Sequence, residues 1–182
     1  MLKEACSSGE FVAAQLGHDR ERFIELGQFL RATPPSSVVT IARGSSDHAA
    51  NYAAYLMMAR LGHIVASLPM SLVTLNKAPL QVKNALAIAI SQSGQSPDVV
   101  EPIRYFREHG ATTVALVNDA ASPLAQGAQW TMPLHAGPEL SVAATKSFIT
   151  SLVAGARLAG HWQNDPAFLA AIDELPQVLH EA

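Results

Sequence analysis

Apolar residues follow two different periods along this chain. Over residues 9–31, Phe11, Leu16, Phe23, Leu26, Phe29 and Leu30 recur at near-helical spacing with charges between them, which predicts one helix. Thr33-Pro34-Pro35-Ser36 ends it, because proline has no N–H and restricts the residue before it. Residues 38–42 (VVTIA) are short, β-branched and almost wholly apolar, the pattern of a strand buried on both faces of a parallel sheet. The turn GSSDH and a helix over 47–61 follow. The unit then repeats. Strands are predicted over 64–67, 86–90, 112–117 and 130–134. The intervening helices run near 69–76, from SQSGQSPD to about 109, and near 122–127. After the turn HAGPEL comes a long helix over about 141–160, and Asp165-Pro166 opens a last one over 166–181. Alternating buried strands and helices predict an α/β fold with a doubly wound, five-stranded parallel sheet flanked by helices. A flavodoxin-like strand order, 2-1-3-4-5, is expected. The organisation expected is a helical segment over 1–32 packing on a domain over 33–182.

The chain has 182 residues, of which 49% are apolar and 15% charged. Disorder is excluded by the first figure, and the second is low beside the usual ~25%. A surface so sparsely charged is expected to be covered in part by a second copy or another domain. A net charge of −3 leaves no basic stripe, so nucleic acid is not an expected partner. The single cysteine, Cys6, cannot form an internal disulfide, which fits a reducing compartment. No apolar run approaches the roughly 18 residues that span a bilayer, and MLKEACSSGE has no signal-peptide pattern, so a cytoplasmic protein without membrane contact is expected. The seven histidines show no metal-ligand spacing, and neither a metal nor another cofactor is expected.

Candidate chemistry lies in the turns after the first and third strands, Arg43-Gly44-Ser45-Ser46-Asp47 and Ser91-Gln92-Ser93-Gly94-Gln95-Ser96. In the expected strand order these strands are neighbours and their helices leave toward opposite faces, so both turns border the crevice where such sheets bind ligands. Each turn runs into a helix N-terminus with unpaired N–H groups and a positive dipole end, which suits a phosphate. Serine hydroxyls add donors, and glycine lets backbone approach closely. Ser96 has a second reading of equal weight, as the cap of a helix with Pro97 in its first turn. There is no G-x-x-x-x-G-K-[ST] and no G-x-G-x-x-G, and Arg43 is the only cation in the two turns. Neutral donors at helix ends fit a single phosphomonoester better than a metal-bound triphosphate. A third segment, residues 136–146, precedes the long helix. In it Glu139 suits a capping role, and Lys146, which gains nothing from the dipole there, reads first as an exposed lysine and otherwise as a partner of Glu139 or a ligand.

The segments SQSGQSPD, GPELSVAATKSF and ARGSS, in that setting, resemble the sugar isomerase (SIS) domain. The likeness is closest to the first SIS domain in the isomerase half of glucosamine-6-phosphate synthase and its relatives, over about residues 10–180. The resemblance implies that Ser46, Ser91, Gln92, Ser93 and Ser96 hold the sugar phosphate, and that Gly44, Ser45 and the backbone at Val142 and Ala144 line the sugar. It places Glu139 near the pocket without making it the base. Arg43 stands where the synthases have cysteine, Gln95 where glutamate is usual, Pro138 for threonine and Ala144 for serine. These departures look like the branch without a glutaminase domain, which includes amino-sugar-phosphate deaminases. In that branch two SIS domains occur in tandem, with the enolisation glutamate and ring-opening histidine in or after the second. The chain therefore looks like a first half, and its catalytic residues are not identified.

Three readings follow. One is the phosphosugar-binding half of an aldose–ketose isomerase or amino-sugar-phosphate deaminase, acting on a substrate of the glucosamine-6-phosphate or fructose-6-phosphate type. The second is a non-catalytic phosphosugar sensor, and the third a scaffold with an empty pocket. A homodimer, or pairing with a second SIS domain, is expected because the apolar helix over 141–160 and the terminal stripe need cover.

Overall fold

A computed structural model of the chain describes residues 2–139 and 144–181. In chain order the elements are α1 (Leu2–Cys6), α2 (Ser8–Leu16), α3 (Arg20–Ala32), β1 (Val38–Ile41), α4 (Ser45–Leu61), β2 (Val65–Ser67), α5 (Ser71–Thr74), β3 (Leu86–Ser91) and α6 (Pro97–Glu108). There follow β4 (Thr112–Val117), α7 (Pro123–Gly127), β5 (Trp130–Pro133), α8 (Lys146–Gln163), α9 (Pro166–Asp173) and α10 (Leu175–Glu181).

The five strands form one sheet in the order β2-β1-β3-β4-β5, and every pair is parallel. This is the α/β architecture and strand order expected from the alternation of elements. Within β3, Leu86, Ile88 and Ile90 face one core and Ala87 and Ala89 the other. On the first side the sheet packs against Leu26 and Leu30 of α3, Ala53 and Met57 of α4, and Leu158 of α8. On the second side the small residues meet Val99, Val100 and Ile103 of α6 and Leu124 of α7. The bulk of the side chains of this central strand is thus unequal on its two faces. The alanine side admits a helix closely, as close packing of interiors requires.

Three expected helices differ from the structure. The pattern over 9–31 is two helices, α2 and α3, broken around Gly17–Asp19, with Asp19 in left-handed backbone at φ 56°. Periodicity continues across the break because both helices bury one face. The corner itself is set by long-range contacts. Arg157 of α8, 4% exposed, donates to the carbonyls of Gln15 (2.9 Å) and His18 (2.9 Å), which ends α2 with satisfied acceptors. Its guanidinium lies 4.2 Å from the Phe23 ring centroid. His135 Nε2 lies 2.6 Å from Asp19 Oδ2. Arg31 of α3 reciprocates at the end of α8, donating to the carbonyls of His161 and Trp162. The segment over 166–181 is likewise two helices, and Pro176 follows the break. Asp165 caps α9 by accepting from the N–H groups of Ala167 (3.0 Å) and Phe168 (3.1 Å), and it pairs with Arg60 of α4 at 2.6 Å. The Phe168 N–H, with Ala167 and Arg60, holds its carboxyl below the ordinary range. Finally, α8 starts at Lys146 rather than near 141. Residues 140–143 lie outside the described residues, and Ala144 and Thr145 precede the helix.

α8 is covered largely from within the chain, and the terminal stripe in part, with Ala167, Ala171 and Val178 exposed. Val153, Ala156 and Ala159 of α8 pack with Phe11 and Val12 of α2 and Ile172 of α9, and Phe168, Leu169, Leu175 and Leu179 close over them. One face of α4 exposes Tyr52 (40%), Tyr55 (65%) and Met58 (44%), and Ile64, Leu75 and Val178 are exposed elsewhere. Among the described residues no helix is long and apolar enough to cross a membrane.

Candidate functional site

β1 and β3 lie side by side in register, Ile41 opposite Ala89, so their C-terminal turns emerge together. The helix after β1 (α4) packs on one face of the sheet and the helix after β3 (α6) on the other. The two serine turns therefore flank the point where the winding changes direction.

The backbone of each turn depends on a glycine. Gly44 has φ 57° and ψ −135°, a region that L side chains rarely adopt, and it is the residue from which α4 starts. Its carbonyl accepts from Asp47 N at 3.0 Å. Gly94 has φ 62°, and a Cβ there would stand 2.2 Å from Ser122 Oγ and 2.9 Å from Val117 Cγ2. The turn after β3 is thereby pressed onto α7 and β4, with Leu124 N donating to the Gly94 carbonyl at 3.1 Å.

Within that turn Ser91 Oγ accepts from Gly94 N at 3.0 Å and Ser93 Oγ from Gln95 N at 3.4 Å. An accepted N–H fixes each oxygen and leaves the hydroxyl hydrogen to donate elsewhere. Ser96 is the cap residue of α6 through its carbonyl, which accepts from Val99 N and Val100 N at 3.0 Å each, while its hydroxyl makes no capping bond. Of its two expected roles, the hydroxyl does not perform the structural one. Ser45 and Ser46 open α4, again with no side-chain cap. Among the described residues the side chains of Ser45, Ser46, Gln92 and Ser96 have no hydrogen-bond partner in the protein. Arg43, from the first turn, forms an ion pair with Asp98 in the first turn of α6 and so spans the two turns.

Glu139 is occupied at the start of α8. Its Oε2 accepts from Ser147 N (2.8 Å) and Ser147 Oγ (2.9 Å), and its Oε1 from Thr145 N (3.4 Å), the capping role expected of it. Lys146 turns to the Pro138 carbonyl rather than to Glu139. Ala144 is half-buried beside this segment, and Val142 lies outside the described residues. Asn118 is not among the residues expected from the sequence, yet it ties the approach to this segment to the end of β4. It accepts from Ala136 N (2.9 Å) and donates to the Gly137 carbonyl (2.8 Å). An asparagine directly after a buried strand is the signal that could have found it. The Arg43–Asp98 pair is likewise unexpected, since neither residue marks the other along the sequence.

A cavity of about 330 Å³ opens beside the first turn, lined by Arg43, Gly44, Asp47 and Ser67–Met70, and it takes in no residue of the second turn. A larger cleft of about 840 Å³ lies at the α2–α3 corner, between Asp19, Arg20, Glu21, Arg22 and Trp130. Its charges alternate in sign and it is bordered by the start of β5, so size alone does not make it the site. No group of three His, Cys, Asp or Glu side chains among the described residues could hold a metal ion.

A five-stranded parallel sheet with donor-rich turns at its winding point defines a doubly wound class of α/β domain, whose ligand crevice lies at such a point. Residues 33–159 match the family model of the SIS domain, and the chain belongs to that family. It is 31% identical over 184 residues to a glutamine–fructose-6-phosphate aminotransferase (isomerizing) of Thermus thermophilus, covering 100% of this chain and 30% of that protein. Among solved structures it is similar to a candidate phosphosugar isomerase from Silicibacter pomeroyi DSS-3, at 45% identity and a TM-score of 0.95, over 98% of this chain and 55% of that one. The Vibrio vulnificus NanR protein, solved with ManNAc-6P, shares the fold at 20% identity and a TM-score of 0.77, over 97% and 67% of the two chains. This chain thus spans under a third of the curated relative and about half of the more similar solved one.

Proposed function

We propose that the chain is the phosphosugar-binding half of an aldose–ketose isomerase or amino-sugar-phosphate deaminase, acting without a glutaminase domain on a substrate of the glucosamine-6-phosphate or fructose-6-phosphate type. The observation that carries this is the pairing of two serine turns at adjacent strand ends, where the side chains of Ser45, Ser46, Gln92 and Ser96 have no partner among the described residues. Ser46, Ser91, Gln92, Ser93 and Ser96 receive the phosphate, donating through hydroxyl, amide and helix-end N–H groups. Gly44, Ser45, Val142 and Ala144 line the sugar. The reaction in such a site is proton transfer between C1 and C2 of the opened sugar, with a general base and donors to the enediol oxygen. Glu139, tied to the start of α8, orders this side of the site and is not the base. The base comes from a second SIS domain or another copy.

The N-terminal helical segment, residues 1–32, packs on a SIS domain over 33–182, a division supported by burial of Phe23, Leu26 and Leu30 against the sheet. Pairing through the exposed face of α4, in a homodimer or with a second SIS domain, is supported by Tyr52, Tyr55 and Met58. A cytoplasmic setting fits such substrates.

Calorimetric titration with glucosamine-6-phosphate tests the proposal. Saturable binding is expected, with a loss of about tenfold or more in Ser91→Ala and Ser93→Ala, each removing one charge-assisted hydrogen bond. Wild-type protein that takes up no phosphosugar would overturn it. A second reading, a non-catalytic sensor, is favoured by one observation: the carboxylates of these segments are engaged. Asp98 is bound to Arg43, Glu139 to α8 and Asp47 to Asn51 at 3.5 Å. Turnover once a second SIS domain is supplied separates the enzyme from the sensor.

A further inference from the structure

The Arg43–Asp98 pair is set where it does little for folding. The two side chains are 57% and 45% exposed, and ion pairs so open to water contribute little to stability. Its position is more informative. Asp98 lies in the first turn of α6, where a carboxylate favours the helix dipole. An anion gripped by the turn that precedes α6 would meet the same dipole and, beside it, the Asp98 charge. The carboxylate that suits the empty helix end therefore opposes the ligand. Arg43, the one arginine or lysine in the two turns, reaches across from the α4 side and neutralises it.

We propose that Arg43 is a specificity-determining residue that cancels Asp98 and so makes this helix end receptive to a dianionic phosphate ester. This rests on the phosphosugar reading of the same site. The site's charge is divided between the two turns: hydroxyls and N–H groups supply direction, and the Arg43–Asp98 pair sets the local potential. A strap that merely tied the turns together would behave differently, because cutting it from either side would weaken binding equally.

The test is a double-mutant cycle read by calorimetric titration with glucosamine-6-phosphate, with inorganic phosphate and unphosphorylated glucosamine as companions. Arg43→Ala exposes the carboxylate and is expected to weaken phosphosugar binding by about tenfold, while Asp98→Asn frees the guanidinium and tightens it severalfold. The double variant returns to within about threefold of wild type, since the opposing charges leave together. Both single effects shrink at 1 M salt, where screening acts within roughly 3 Å. Thermal melting accompanies each variant, so that a folding defect is seen separately. If both single variants weaken binding, the pair is a strap and the inference falls while the phosphosugar site stands. If wild type binds neither phosphosugar nor phosphate, the site itself falls and this inference with it.

Discussion

At the α2–α3 corner, Arg157 is 4% exposed and spends its terminal nitrogens on the carbonyls of Gln15 and His18. At the strand ends, Ser45, Ser46, Gln92 and Ser96 keep side chains that no described group of the protein engages. Both regions border helix ends, and both are rich in polar atoms. They differ in access to water. A buried carbonyl left alone costs its full desolvation, so the corner must supply donors from within the chain. A hydroxyl at an open turn is solvated until a ligand arrives, so it can be held in reserve. Polarity that the protein consumes marks structure, and polarity that it leaves available marks a site. The corner also has the larger cleft, lined by side chains of both charge signs.

At neutral pH the contrast can be broken most forcefully at Arg157. Burial lowers the pKa of its guanidinium to about 10, yet it remains charged at neutral pH. Arg157→Met strips donors from the buried Gln15 carbonyl and the partly exposed His18 carbonyl and should destabilise the fold by about 2 kcal/mol, a fall of roughly 4–8 °C in Tm for a chain of this size. Phosphosugar binding by the folded remainder should stay within about twofold. A loss of affinity without a loss of Tm would mean that the corner belongs to the site.

His161 tests the same region through pH. Burial first, and the charge of Arg157 second, push its pKa down to about 4. In the unfolded chain the imidazole takes its proton near 6.5, so between pH 6.5 and 4 the unfolded state binds more protons. Stability should therefore fall as the solution is acidified through that window, by on the order of 3 kcal/mol at pH 4, and be flat above it. Melting curves for wild type and His161→Gln should converge toward acid and separate toward neutral pH.

The smallest effect sharpens the other side of the comparison. Ser96→Ala removes a hydroxyl with no capping bond, so stability should change by less than about 0.5 kcal/mol, while affinity for glucosamine-6-phosphate drops severalfold. A clear fall in Tm would return Ser96 to its structural reading.

The strands and their order were legible because buried parallel strands announce themselves as short apolar runs, and both serine turns were found at strand ends. The break at Gly17–Asp19 was not legible. Its causes are Arg157 and His135, more than a hundred residues away, and the local period continues across it. The break before Pro176 could have been read, since proline within an apolar stripe signals a new start. Arg43 and Asp98 were each visible as residues, but their pairing comes from folding β1 beside β3.

Ala87 and Ala89 of β3 and Ala115 of β4 form the thin floor on which α6 rests. Methyl-sized side chains leave that helix no slack, so its position is dictated by the middle of the sheet. Enlarging Ala89, which is fully buried in the cluster that holds Val99, Val100 and Ile103, would overpack that layer and press on α6. On the proposed reading, the place of the Ser96 turn is set from beneath, by a hydrocarbon layer remote from any ligand.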